Sequence, residues 1–279
     1  ERRIALRDER VKAAPYWGVV VPRIILTFLF FAAAWITVIV LGINGTIPLW
    51  VGLILNTVIA STFYMPMHEA THGNIWGRTS QGKGVEDLIG MLCAIPLGFS
   101  YKSHRPSHMR HHAHTNDPQR DPDYHTAGPM WTVLRSWYAQ VLMLTFLPLF
   151  AFVPTARRLV PNAVLRSMAG DAGNKKSGLI QLRFWFFSTL VLVVAFLTGY
   201  GWAALLLWFI PSRLQGLWLL TVFAWFPHHP ATKVGRYVDT RVAVFAGSRF
   251  LIRGHDHHAV HHLFPRVPHY RLRRLWSDI

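Results

Sequence analysis

Acidic residues and cysteine are scarce in this chain of 279 residues: 13 Asp and Glu stand against 29 Lys and Arg, and the lone cysteine is Cys93. One cysteine excludes an intramolecular disulfide framework, a multi-thiolate zinc site and an iron–sulfur cluster. Any metal held here takes nitrogen or oxygen ligands. Charged residues are few, at 15%, whereas hydrophobic residues make up 52%. Mean hydropathy is +0.25. A soluble domain carries about 45–50% apolar residues with glycine already counted, so the composition is that of a membrane protein. The formal charge of +16 does not indicate nucleic acid, because the basic residues flank apolar runs instead of interleaving with aromatics on a soluble surface. There is no internal repeat and no low-complexity tract, and we find no flavin or haem motif.

What the chain has in abundance is apolar length. Ile24 to Ile43 and Ile47 to Met67 contain no charged residue, and each matches the roughly 20 residues that cross a bilayer as a helix. Asn44-Gly45-Thr46 separates them, so they are expected to form a hairpin. A second hairpin is expected from Phe184 to Thr198 and Trp202 to Trp225, turning at Gly199-Tyr200-Gly201. Arg213 interrupts its second arm and must snorkel, pair or face protein. Leu88 to Phe99 and Ala139 to Val153 are shorter or carry an internal proline, and are expected to be interfacial or re-entrant. Arg2, Arg3, Arg7, Arg10 and Lys12 precede the first span while both hairpin turns lack Lys and Arg, so the positive-inside rule puts both termini in the cytoplasm. The first segment has the character of an anchor, not of a cleaved signal. The expected fold is an all-α integral membrane protein, one domain over residues 1–279, with about four transmembrane helices in hairpins at 24–67 and 184–225. Interfacial or re-entrant helices and a cytoplasmic histidine-rich cap complete it.

Histidine carries the chemistry. Of the 16, most fall into three clusters: His68 and His72; His104, His108, His111, His112 and His114; and His255, His257, His258, His261 and His262. His68-Glu69-x-x-His72 is the pattern of one class of zinc peptidases, in which Glu69 would be the general base. His108-x-x-His111-His112 and His258-x-x-His261-His262 each repeat an i, i+3, i+4 set on a helix face. An even number of crossings separates the clusters, so all three reach the same membrane face and can converge. A catalytic zinc needs three protein ligands and an open position, which leaves the two HxxHH boxes without a purpose. Eight boxed histidines suit two ions, and imidazole suits iron.

The order HExxH, then HxxHH running into His114-Thr115-Asn116-Asp117, then "HAVHHLFPRVPHYRL" from His258 to Leu272, closely resembles the membrane fatty acid desaturase and hydroxylase superfamily, the last box being most similar to its acyl-lipid desaturase branch. The resemblance implies a non-haem di-iron centre on the boxed histidines, completed by one more histidine after the last span. His228 in "FAWFPHHP" is the choice for it, with His229 as the alternative; this stretch also resembles carotenoid ring ketolases. The implied metal-ligating and catalytic set is therefore His68, His72, His108, His111, His112, His228, His258, His261 and His262, with His255 or His257 able to replace His258 if the register of the crowded third box differs. His104, His114, His125 and His269 are expected to support the site or the fold, and Glu69, Asp117, Asp121, Asp123 and Asp256 to orient imidazoles or cap turns.

The resemblance further implies two iron ions with O2 as co-substrate, oxidation of an unactivated C–H bond of a lipid acyl chain to a double bond or an alcohol, and an external electron donor of ferredoxin, rubredoxin or cytochrome b5 type. The alternatives are a carotenoid ring ketolase or hydroxylase, an alkane hydroxylase and, more distantly, a membrane zinc peptidase. A multi-pass protein of the bacterial inner membrane is expected, with its active site cytoplasmic. Arg157, Arg158, Lys175, Lys176, Arg266, Arg271, Arg273 and Arg274 would meet anionic lipid or an acidic electron carrier, and Trp131, Trp137, Trp202, Trp225 and Trp276 would anchor at the interface.

Overall fold

A computed structural model describes residues 2–78, 82–152, 155 and 175–279, and the described residues form helices with no strand. The order is α1 (Arg2–Ala13), α2 (Pro22–Ile43), α3 (Leu49–Thr62), α4 (Tyr64–His72), α5 (Lys83–Leu97), α6 (Tyr101–His114), α7 (Met130–Phe152), α8 (Lys175–Leu197), α9 (Gly201–Trp225), α10 (Ser248–Leu251), α11 (His258–Leu263) and α12 (His269–Asp278). Four stretches are long and apolar enough to cross a membrane: Pro22–Ile43, Leu49–His72, Lys176–Leu197 and Gly201–Trp225. They overlap the arms of the two expected hairpins, the second ending five residues beyond Met67 and the third starting eight residues before Phe184. Arg157 and Arg158 lie outside the described residues, as does Val153 at the end of the second short apolar stretch. The rest of that stretch falls in α7, which is not one of the four spans.

Each departure from a straight span has a local cause. The α3–α4 break falls at Phe63. Pro66, four residues after Thr62, has no N–H to give to the Thr62 carbonyl, and Ser61 and Thr62 turn their hydroxyls back onto the Val58 and Ile59 carbonyls at 2.6 Å each, which bends helices. α9 carries two π-helical segments, Leu205–Phe209 and Leu220–Trp225. A π turn disturbs the carbonyl ladder, and buried Asn56 of α3 donates to the Leu207 carbonyl at 2.7 Å. Gly52 lets that contact form, since a Cβ there would meet Leu207 Cδ2 at 2.2 Å.

α5 and α6 form a pair bent by 99° at Gly98, a broken span or re-entrant turn that contains the Leu88–Phe99 stretch. Gly98 sits at φ 78, and a Cβ on it would meet Arg213 Nη1 at 2.9 Å, so both the left-handed backbone and the close approach need glycine. Arg213 faces protein: it is 6% exposed, donates to Ser212 Oγ and lies 3.8 Å from the Phe209 ring centroid. One apolar core joins α2, α4, α5 and α6 through Phe28, Met67, Ile89, Cys93 and Tyr101. A smaller one, built on Val260, Phe264, Leu272 and Leu275, fastens α12 over α11. Between the two lies the histidine-rich cap.

Candidate metal centre

The nine expected ligands gather into two groups. Ligand atoms of His68, His72, His108, His112 and His261 lie within 4.8 Å of one another, as do those of His111, His228, His258 and His262. α4 presents His68 and His72 one turn apart and ends where Gly73 enters the left-handed region. The two HxxHH boxes divide. Residues i and i+4 of a helix point about 40° apart, while i+3 lies about 100° from i+4. Accordingly His108 and His112 stay together and His111 crosses to the other group; His258 and His262 stay together and His261 crosses. Each box thus contributes to both groups, and the rings of His112 and His262, one from each group, stack at 4.1 Å.

Polar partners aim the rings of the smaller group. His111 Nδ1 meets Asp121 Oδ1 at 2.8 Å, and the same carboxylate accepts the Asn116 and Asp123 backbone N–H groups at 2.7 and 2.9 Å. His262 Nδ1 is 3.2 Å from Thr115 Oγ1, and His258 Nδ1 is 2.8 Å from His255 Nδ1. Asn116, at φ 63, donates its amide to the Lys233 and Asp239 carbonyls, tying the second box to the segment that carries His228. His229 instead points Nδ1 at the Gly128 carbonyl, 3.1 Å away, and belongs to neither group.

These donors fit metal ions. Nε2 to Nε2 separations are 3.0 Å for His72–His108, 3.1 Å for His108–His112 and His112–His261, 3.1 Å for His228–His258 and 3.0 Å for His258–His262. Right-angle ligands on an ion with metal–imidazole bonds of about 2.1 Å stand about 3.0 Å apart. Protons cannot satisfy the same cluster, because His108 Nε2 faces two other Nε2 atoms and each ring nitrogen has one proton or one lone pair to offer. Neither nitrogen of His68, a side chain 1% exposed, has a partner. Burial, reinforced by neighbouring imidazoles, holds His228, His258, His261 and His262 well below the ordinary imidazole pKa, which leaves them neutral and able to ligate. Five nitrogen donors in one group also exceed the three or four of a zinc site.

Glu69 is turned elsewhere. Its Oε1 accepts from the backbone N–H of His269 at 2.9 Å and lies 2.8 Å from His269 Nδ1, and its Oε2 accepts from Asn74 Nδ2 at 2.8 Å. A peptidase general base must face a metal-bound water; this carboxylate clamps α12 to α4. Asp256 takes His257 Nδ1 at 3.1 Å, whereas Asp117 caps the turn at Gln119 and Arg120. His104 stacks on His108 with centroids 5.3 Å apart, and His255 lies 4.8 Å from His68. Trp137 and Trp225 donate inward, to the Arg213 and Gly128 carbonyls, while Trp131, Trp202 and Trp276 are exposed. The roles of Thr115 and Asn116 were not legible in the box spacing; their place directly after the second box was the available signal.

Comparison with known proteins gives the same direction. The family model for fatty acid desaturase matches residues 44–279. This chain belongs to the fatty acid desaturase family. It is 28% identical over 244 residues to the sn-1 acyl-lipid omega-3 desaturase (ferredoxin) of Synechocystis sp., covering 81% of this chain and 66% of that one. To a beta-carotene ketolase of Paracoccus sp. it is 26% identical over 226 residues, covering 77% and 74%. To the chloroplastic omega-6 fatty acid desaturase of Arabidopsis thaliana it is 24% identical over 229 residues, covering 78% and 50%. The chain therefore matches between half and three quarters of the length of these relatives. In this chain the two histidine groups sit where the ends of α4, α6 and α9 meet the cap, and the protein is an integral membrane protein by its four apolar spans.

Proposed function

We propose that this protein is an O2-dependent membrane oxidoreductase that desaturates or hydroxylates an unactivated position of a lipid acyl chain. The observation that carries the reading is the pair of buried groups, five and four histidines, drawn from all three boxes and the segment after α9. Two iron ions would be held, one by His68, His72, His108, His112 and His261, the other by His111, His228, His258 and His262. Bound there, iron supplies the activation of oxygen that C–H oxidation requires. The chain's own residues do the rest. Burial keeps His228, His258, His261 and His262 unprotonated, Asp121 fixes the ring of His111, and Thr115 holds His262. On the membrane side Tyr64 and Phe223, 4.6 Å apart at their centroids, pack on His68 and His255 and exclude water from the groups.

Each turnover needs two external electrons, and the donor is a separate protein; the ferredoxin named for the cyanobacterial relative supports a ferredoxin-type carrier. The charge distribution supports a cytoplasmic histidine cap with both termini on that side, in a bacterial inner membrane. Ring ketolation of a carotenoid is the second reading, favoured by the likeness to the Paracoccus ketolase. The test is turnover by iron-loaded membranes with reduced ferredoxin and O2, offered acyl lipid or β-carotene. Oxygen-dependent double bonds or hydroxyls in the acyl products support the proposal, oxygenated rings alone support ketolation, and oxygen-independent peptide cleavage contradicts both.

A further inference from the structure

A cleft of about 580 Å³ opens beside the cap, between the start of α2, the α3–α4 junction, α10 and α12. Arg23, Arg249, Arg253, Arg273 and Arg274 line it, and Ile24, Phe31, Met65 and Pro66 supply apolar wall. The acid that lines it, Asp256, is buried and engaged by Ser248 Oγ at 3.2 Å and His257 Nδ1 at 3.1 Å. Five arginines therefore line one space with a single, already occupied carboxylate among them, and Arg274 also reaches the Tyr16 side chain.

Arg253 is built into that wall. Its backbone is left-handed at φ 51, its Nη2 donates to Ser61 Oγ at 2.9 Å, and its guanidinium lies 5.3 Å from the Trp218 ring centroid. The Nε–H is buried without a partner. A non-glycine residue at positive φ is uncommon and has to be held by its surroundings, and an unpaired buried donor is costly. An anion in the cleft would meet the arginines that line it, whose forked donors match phosphate oxygens.

The depth of the cleft says what carries the anion. Arg23 stands at the first turn of the Pro22–Ile43 span, and Phe31, eight residues on, is about 12 Å further along the helix. Charge thus lies at headgroup level and the apolar wall extends into the hydrocarbon. Met65 and Pro66 belong to the helix that ends in His68 and His72, and Gly254 and Asp256 flank His255. We propose that the cleft binds the phosphate-bearing head of an acyl amphiphile, the arginines holding the phosphate while the chain enters beside α4. This deepens the proposed function and rests on it: the substrate has an anionic head, which an uncharged carotenoid ring lacks.

Binding can be measured without turnover, by native mass spectrometry of the full chain released from detergent. The probes are dioleoyl phosphatidylglycerol, oleoyl-coenzyme A and dioleoylglycerol, the last having the chains without the phosphate. The proteins are wild type, Arg249→Gln/Arg273→Gln and Arg249→Lys/Arg273→Lys. The expected result is at least tenfold tighter binding of a phosphate-bearing probe than of dioleoylglycerol, lost at least tenfold in the glutamine pair and partly restored in the lysine pair, which also shows that the substituted protein folds. Retention of phosphatidylglycerol names a membrane lipid as the source; retention of the coenzyme A ester alone names a soluble thioester. Equal binding of dioleoylglycerol, or no change in the glutamine pair, overturns the proposal. Arginine-dependent binding without lipid oxidation refutes the proposed reaction and keeps the cleft; oxidation of acyl lipids with binding indifferent to arginine refutes the cleft alone.

Discussion

The two histidine groups differ in what holds them. In the group of four, three rings have a polar partner at Nδ1: Asp121 for His111, Thr115 for His262 and His255 for His258. In the group of five, His68 has no hydrogen-bond partner at either nitrogen and the buried Nδ1 of His112 has none; its rings are set by helix geometry and by edge-on contact, such as His68 with His72 and His108 at 4.7 Å each. Hydrogen bonds orient the first group except His228, whose buried Nδ1 has no partner, and packing orients the second. One consequence is that carboxylate and hydroxyl substitutions should separate the groups, whereas ligand substitutions should destroy them one at a time.

Ligand removal is the strongest way to break the pairing. His261→Ala is expected to empty the group of five and His228→Ala the group of four, each lowering turnover by more than the roughly 10–100-fold typical of lost supporting contacts, with metal content read by mass spectrometry. Asp121→Asn sharpens the comparison: metal affinity of the group of four should fall about 10–100-fold while the group of five keeps its ion, as resolved by competitive chelation. Glu69→Gln should leave both ions in place and instead loosen α12, lowering stability by about 1.5–3 kcal/mol, the range for hydrogen bonds to a charged group, measured by thermal unfolding in detergent. A zinc peptidase would lose all activity on that change. Thr115→Val should weaken the group of four by less than about tenfold, below the effect of losing a carboxylate partner. His229→Ala, outside both groups, should leave the metal count unchanged.

Much of this was legible before the fold. Apolar runs of bilayer length define the first hairpin because lipid demands them, the second shows as a shorter run and one interrupted by Arg213, and the spacing of the boxes picked out eight of the nine imidazoles that the structure gathers, the family resemblance supplying His228. The partition was not legible. A helix face viewed as a unit hides that His111 and His261, at i+3, diverge from their i+4 neighbours far enough to join a different group. Nor did the HExxH pattern reveal the orientation of Glu69, which depends on His269, 200 residues away. Arg213 was legible as a problem but not as a solution, since its lodging against Gly98 depends on how α5 and α6 bend. The π segments of α9 had no local sequence signature, and Asn56 answers one of them from a different span.

The central claim is that two adjacent ions are held by different histidines of the same boxes. The most direct test is metal identity and stoichiometry per chain, on protein purified anaerobically from iron-replete cells, for wild type, His261→Ala and His228→Ala. The account predicts two metals in wild type and about one in each variant, with the count weighing more than the element because zinc displaces iron adventitiously. One metal in wild type, untouched by His261→Ala, would contradict it.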